Sequence, residues 1–169
     1  SLLCSVSVFR PCRKQRIKNA LFVACTQEPG SLKVLSLKEI RPLVAEYPGS
    51  VRAKNDDGEL ILHVACRRMA PLEVVQYLVA AYPDSNETKI SDGLLPLHVA
   101  CISKAPLEVV QYLVQQYPDS IKVKDNLFGW IPLHVACYSR APLEVVQYFV
   151  QQYPESVKVK RNYGELPLH

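Results

Sequence analysis

The residues in this chain best suited to chemistry are histidines and cysteines held three apart. His63 and Cys66, His98 and Cys101, and His134 and Cys137 form three His-x-x-Cys pairs. On a helix, positions i and i+3 share a face, so each pair could offer a metal one imidazole and one thiolate. Two ligands are half of a structural zinc site, and zinc needs every ligand at about 2.0–2.3 Å. The next pair lies 35 or 36 residues along, and packed helices stand about 8–10 Å apart, so ligands on neighbouring helices would need unusual convergence to share one ion. A Cys–His nucleophile requires an exposed, activated thiol, whereas each of these cysteines closes an apolar Leu-His-Val-Ala-Cys run that reads as core. Glu73, Glu108 and Glu144 recur at one exposed helix start, without a second carboxylate nearby in sequence. The chain has no Ser-His-Asp arrangement, Gly-rich phosphate loop or nucleophile elbow. A non-enzyme without metal or cofactor is expected.

What positions these residues is a repeat. Leu-His-Val-Ala-Cys stands at 62–66, 97–101 and 133–137, and Leu168-His169 begins another copy. Ala-Pro-Leu-Glu-Val-Val-Gln-Tyr stands at 70–77, 105–112 and 141–148. A period of this length means a stacked array in which each unit is buried by its neighbours. Each unit predicts two helices. Pro96 suits the first turn of one, and Pro106 with Glu108 starts the second. Apolar residues at 107, 109, 110, 112, 113, 114 and 117 cover most of that second helix, which predicts burial nearly all round. Tyr117-Pro118 ends it, because the residue before proline is pushed out of helical geometry. Pro-Asp-Ser-Ile-Lys-Val-Lys then alternates, predicting an extended, hairpin-like finger that Gly129 turns into the next unit.

The units divide the chain into a basic leader (1–16), a degenerate cap-like repeat (17–57), and full repeats at 58–92, 93–128 and 129–163. The start of a further repeat follows at 164–169. In the cap, Phe22 replaces the histidine, and Cys25 lies 41 residues before Cys66, so about six residues are added between 26 and 39. The chain begins without Met and stops in mid-motif, and is expected to be a fragment of a longer array.

Gly-x-x-Pro-Leu-His-x-Ala-Cys followed by Leu-Glu-Val-Val resembles the ankyrin repeat, in register over residues 17–169. The family pattern is Gly-x-Thr-Pro-Leu-His-x-Ala-Ala, then Leu-x-x-Val-x-x-Leu-Leu. The resemblance implies an all-α solenoid of helix-turn-helix units joined by hairpin fingers, and a histidine that ties finger to helix. It also implies protein binding in a concave groove lined by fingers and first-helix ends. Departures are consistent. The family's threonine is Leu60, Leu95, Ile131 and Leu166 here, Ile61 replaces one proline, and Ala-Pro with one extra residue replaces the Gly-His turn. An apolar N-cap forgoes the bond a threonine would accept, at roughly 1 kcal/mol per helix.

Charge and composition narrow the partner. Of 20 basic residues, five (Arg10, Arg13, Lys14, Arg16 and Lys18) lie in residues 1–19, where there is no acid, leaving fifteen basic against sixteen acidic residues beyond. The array thus lacks the bulk positive charge of a nucleic-acid binder, and no apolar run reaches the length of a membrane span. Cys25, Cys66, Cys101 and Cys137 share one repeat position, so they read as reduced core thiols of an intracellular protein, in the cytoplasm or nucleus.

Where repeats differ, packing does not dictate the residue, and a protein partner of unknown identity is expected to bind a monomeric array there. First-helix ends differ most: Arg67 and Arg68; Ile102, Ser103 and Lys104; Tyr138, Ser139 and Arg140. Fingers differ too, and one is a residue longer: Tyr117 to His134 spans 17 residues against 16 elsewhere. That finger carries Asn126, Phe128 and Trp130, and the next carries Tyr163. Phe128, Trp130 and Tyr138 are the candidate apolar anchors; Arg67, Arg68, Lys104 and Arg140 form a candidate basic stripe. Three alternatives stand beside this: Phe128 and Trp130 could serve only finger packing, the array could be a structural segment attached to a catalytic or channel domain, and the His-x-x-Cys pairs could make it a metal-binding protein.

Overall fold

The computed structural model describes residues 36–167. The basic leader, the cap's Leu21–Cys25 run and the Leu168-His169 motif start lie outside them. Seven α-helices and no strands occur among the described residues. Helix α1 (Leu37–Glu46) belongs to the cap-like unit. Three helix pairs follow: α2 (Ile61–Arg67) and α3 (Leu72–Ala81), α4 (Pro96–Ile102) and α5 (Leu107–Gln116), α6 (Pro132–Ser139) and α7 (Leu143–Gln152). First helices stack on first helices, α2 on α4 and α4 on α6, and second helices stack likewise.

The two helices of a unit are buried differently. In α2 every residue from Ile61 to Cys66 is buried, as is Pro96 to Cys101 in α4. The second helix corrects the all-round burial expected of it. In α5 only Val109, Val110, Leu113 and Val114 are buried, while Glu108, Gln115 and Gln116 face solvent and Leu107, Tyr112 and Tyr117 are half-buried. Positions i, i+1, i+4 and i+5 make one face. The second helices therefore form an outer layer over an inner layer of short, fully covered ones.

Each second helix stops at Tyr82, Tyr117 or Tyr153, held in extended geometry by the proline that follows. The next residues differ from the extended strand that their alternation predicts. Pro48–Arg52, Pro83–Asn86, Pro118–Lys122 and Pro154–Lys158 are 3₁₀ turns. The serine N–H donates back to the tyrosine carbonyl in all four, at 2.9–3.0 Å. Ser50 Oγ also donates to the Tyr47 carbonyl at 2.6 Å, and Ser120 repeats this on Tyr117. Proline's fixed φ and these local bonds outweigh a weak two-residue period. Only the finger tips are hairpin-like, closed by Asn55 N–H to Glu59 O and Ile90 N–H to Leu94 O, both 3.0 Å. Tips also bond to one another along the stack, Asn126 N–H to Asp92 O (2.9 Å) and Asn162 N–H to Phe128 O (3.0 Å). Gly93 has φ +81 and Asn126 packs where its Cβ would be, so only glycine permits that approach.

The histidines supply half of a capping box, although the apolar N-caps Leu60 and Leu95 cannot supply the other half: the third helical residue accepts the N-cap's own N–H. The Leu60 N–H donates to His63 Nδ1 and the Leu95 N–H to His98 Nδ1, each at 3.2 Å. With Nδ1 accepting, the proton of a neutral ring lies on Nε2. His63 Nε2 reaches the Thr88 carbonyl (3.1 Å), and His98 Nε2 reaches the carbonyls of Val123 (3.1 Å) and Trp130 (3.2 Å). Each histidine thus joins its helix start to the finger that follows its unit. Both ring nitrogens are occupied, leaving none for a metal.

Helix ends carry a second departure. Met69, Lys104 and Arg140 adopt left-handed backbone, φ 50, 58 and 55, where the family pattern has glycine. Each closes a Schellman motif: Ala70, Ala105 and Ala141 N–H donate to Ala65, Ala100 and Ala136 O, all at 2.9 Å. A side chain at such a φ costs roughly 1–2 kcal/mol.

Two stability effects follow. Burial, first among the causes, lowers both His63 and His98 from 6.5 to about 4, so between those pH values the unfolded chain binds the protons. Stability should be full above pH 6.5 and fall as the pH drops toward 4, by on the order of 3 kcal/mol per histidine, measured by thermal melts across that range. Met69→Gly relieves the left-handed strain against glycine's greater unfolded entropy and should raise stability by up to ~1 kcal/mol in urea melts.

Candidate functional site

Two columns of residues run along the array: the one preceding each first-helix N-cap, and the one at the end of that helix. The first unit pairs Glu59 with Arg67, an ion pair with Glu59 buried and also held by Asn55 Nδ2 at 2.9 Å. In the next unit the columns hold Leu94 and Ile102. In the third they hold Trp130 and Tyr138, ring centroids 4.9 Å apart. The same two places pass from charged to aliphatic to aromatic.

The longer finger is built on Asp125. Its buried carboxylate Oδ1 accepts the N–H groups of Phe128 (2.7 Å), Gly129 (2.9 Å) and Trp130 (3.4 Å), while its own N–H donates to the Trp130 carbonyl (2.9 Å). Fingers 55–59, 90–94 and 161–165 close over four residue steps and this one over five. Wrapping the extra residue around one carboxylate turns Leu127 and Phe128 outward, 54% and 40% exposed. Phe128 lies on Trp130 with centroids 5.1 Å apart. From the next finger, the Arg161 guanidinium sits 5.7 Å from the centroids of both Trp130 and Tyr163, and it pairs with Glu165.

These side chains surround an apolar cavity of about 250 Å³ lined mainly by Leu94, Ile102, Leu127, Phe128, Trp130 and Tyr138. Tyr138 is the most open of them, 76% exposed. Of the residues singled out from sequence, the structure brings together Ile102, Phe128, Trp130, Tyr138 and Ser139. Ser139 contributes a wall and an anchor, its hydroxyl 2.7 Å from the Val135 carbonyl and 2.8 Å from that of Cys101 in the preceding unit. Trp130 also packs against the core, so it serves scaffold and surface together. The others lie elsewhere. Arg67 is bound to Glu59, Arg68 and Ser103 cap helix ends, Lys104 and Arg140 hold the left-handed positions, Asn126 stacks on Gly93, and Tyr163 belongs to the neighbouring finger. Leu94 and Arg161 were missed. Leu94 could have been found by aligning the column before each N-cap, since it matches Trp130 there.

A second cavity, about 490 Å³, lies between α6 and the last finger, lined by Trp130, His134, Cys137, Tyr138, Arg161, Glu165, Leu166 and Pro167. Neither His134 ring nitrogen nor Trp130 Nε1 forms a hydrogen bond among the described residues. Burial lowers the His134 pKa first of all, opposed by the nearby Glu165 backbone. The thiols of Cys66, Cys101 and Cys137 are free. Burial pushes Cys66 up to about 12 and raises Cys101 and Cys137 as well, the reverse of what a nucleophile needs.

A family model described as ankyrin repeats (3 copies) matches residues 21–125 and 97–169. The chain belongs to the ankyrin-repeat family. A search of curated proteins finds no match to it. Ankyrin repeats are generally protein–protein interaction modules and typically non-catalytic. No helix among the described residues is long and apolar enough to cross a membrane. Within this ankyrin array, Asp125 is the residue on which the aromatic platform stands. Asp125→Ala should cost about 2–3 kcal/mol, because three N–H groups, one buried and two part-buried, lose their acceptor. Asp125→Asn keeps an Oδ1 acceptor and should cost less than half as much, both read in urea melts followed by emission of Trp130, the chain's one tryptophan.

Proposed function

We propose that this ankyrin array is a non-catalytic, intracellular binding module that seats an apolar segment of a protein partner in the cavity beneath Phe128 and Tyr138. The observation that carries this reading is the pair of columns ending in Trp130 and Tyr138. At places where the first unit spends a charge pair on itself, the third presents aromatic rings to an open cavity. Aromatic side chains gain much on burial and lose little entropy, which makes them favoured interface anchors. The platform is also preformed. Asp125 fixes the finger and Ser139 ties the helix end to the unit before, so docking orders little. The free thiols of Cys66, Cys101 and Cys137, the first two in the core, fit a reducing compartment, and a single array suffices for the groove, in keeping with a monomer.

Because Trp130 packs partly into the core, the exposed rings give the cleaner test. Phe128→Ser with Tyr138→Ser should leave the melting curve nearly unchanged and weaken capture of the native partner by about thirtyfold or more, the loss expected for one hot-spot residue. Partner capture that survives the double substitution contradicts the site.

A further inference from the structure

Resting on the groove reading above, we propose that the segment this array takes is acidic, carrying aspartates or glutamates on either side of its apolar anchor. Lys54, Lys89, Lys124 and Lys160 occupy one place in successive fingers, and all four are exposed. Their ammonium groups run along the stack. Lys89 Nζ is 3.4 Å from the Lys124 carbonyl oxygen, and Lys124 Nζ is 2.9 Å from that of Lys160. Lys124 directly precedes the lining residue Asp125, and Arg161, next after Lys160, lies over Trp130, which lines both cavities. On the helix-end side, Lys104 and Arg140 follow the lining residues Ile102 and Ser139 and are also exposed.

None of these four lysines, nor Lys104 or Arg140, forms an ion pair among the described residues. The carboxylates closest to the columns are already committed: Glu59 to Arg67, Glu165 to Arg161, and Asp125 to the amides of its own finger. Cations without an ion-pair partner thus lie in the fingers and at the helix ends that flank the apolar cavity, while the exposed acids Asp56, Asp57 and Asp92 belong to the two earlier fingers. Packed helices set the lysine spacing at about 10 Å. A peptide extended along the row advances about 3.3 Å per residue, so acids at every third position meet successive lysines. Exposed pairs of this kind are individually weak, but together they steer association and set register, with a marked salt dependence.

The test pans the full chain against a random peptide library of about twelve residues, counter-selected on the Phe128→Ser, Tyr138→Ser variant, with recovered peptides titrated by Trp130 emission. Recovered sequences should place acids around an apolar residue. Their affinity should fall about tenfold between about 50 mM and about 300 mM salt, and again about tenfold in Lys124→Glu with Lys160→Glu, whose melt should match wild type. Groove-dependent peptides that are neutral, basic or insensitive to salt overturn the acidic partner and leave the groove reading standing. Recovery of no groove-dependent peptide overturns both. Oligothymidylate that shifts Trp130 emission at lower concentration than the best peptide overturns the proposal in favour of a nucleic acid.

Discussion

The structure depends on a neutral imidazole that bonds in two directions. Its Nδ1 accepts the backbone N–H at its own helix start, and its Nε2 donates to the finger 25 residues later in sequence, from His63 to Thr88 and from His98 to Val123. Both jobs require one tautomer, and burial enforces it by penalising the charged form. With His63 and His98 accepting the N-cap residue's own N–H, the N-cap side chain is left to packing: Leu60, Leu95 and Ile131 are fully buried and add apolar contact to the stack.

Where His63 and His98 close their units, the finger and the first-helix end are held side by side. Those two places are free to vary because the repeated core does not need them. Glu59 with Arg67, Leu94 with Ile102, and Trp130 with Tyr138 are three fillings of one frame. The third becomes a surface through two local devices, the carboxylate of Asp125 and the hydroxyl of Ser139, each satisfying backbone groups that a longer finger and a longer helix would otherwise strand.

Much of this was legible in the residues. Prolines and the Tyr-Pro step marked the helix bounds, and recurrence of His-x-x-Cys turned apparent metal chemistry into scaffold. The aromatic anchors were visible because one finger was longer than the rest. What stayed hidden depends on which local bond wins. Ile121, Lys122, Val123 and Lys124 alternate like a strand, yet Pro118 and Ser120 hold the first two of them in a 3₁₀ turn. The composition of α5 implied burial all round, but its tyrosines and Leu107 are only half covered, since an outer layer has neighbours on one side. Arg67 looked like a free cation because its partner, Glu59, lies eight residues back across the helix start. Nothing in Met69, Lys104 or Arg140 announces left-handed backbone; that follows from the alanine after each, whose N–H must reach five residues back.

The most direct test of the central claim is the protonation state of His63 and His98, read from long-range ¹H–¹⁵N correlations across a pH titration. The account requires the Nε2–H tautomer at neutral pH for both rings, with protonation delayed to about pH 4. A proton on Nδ1, or titration near the ordinary value of about 6.5, would contradict it.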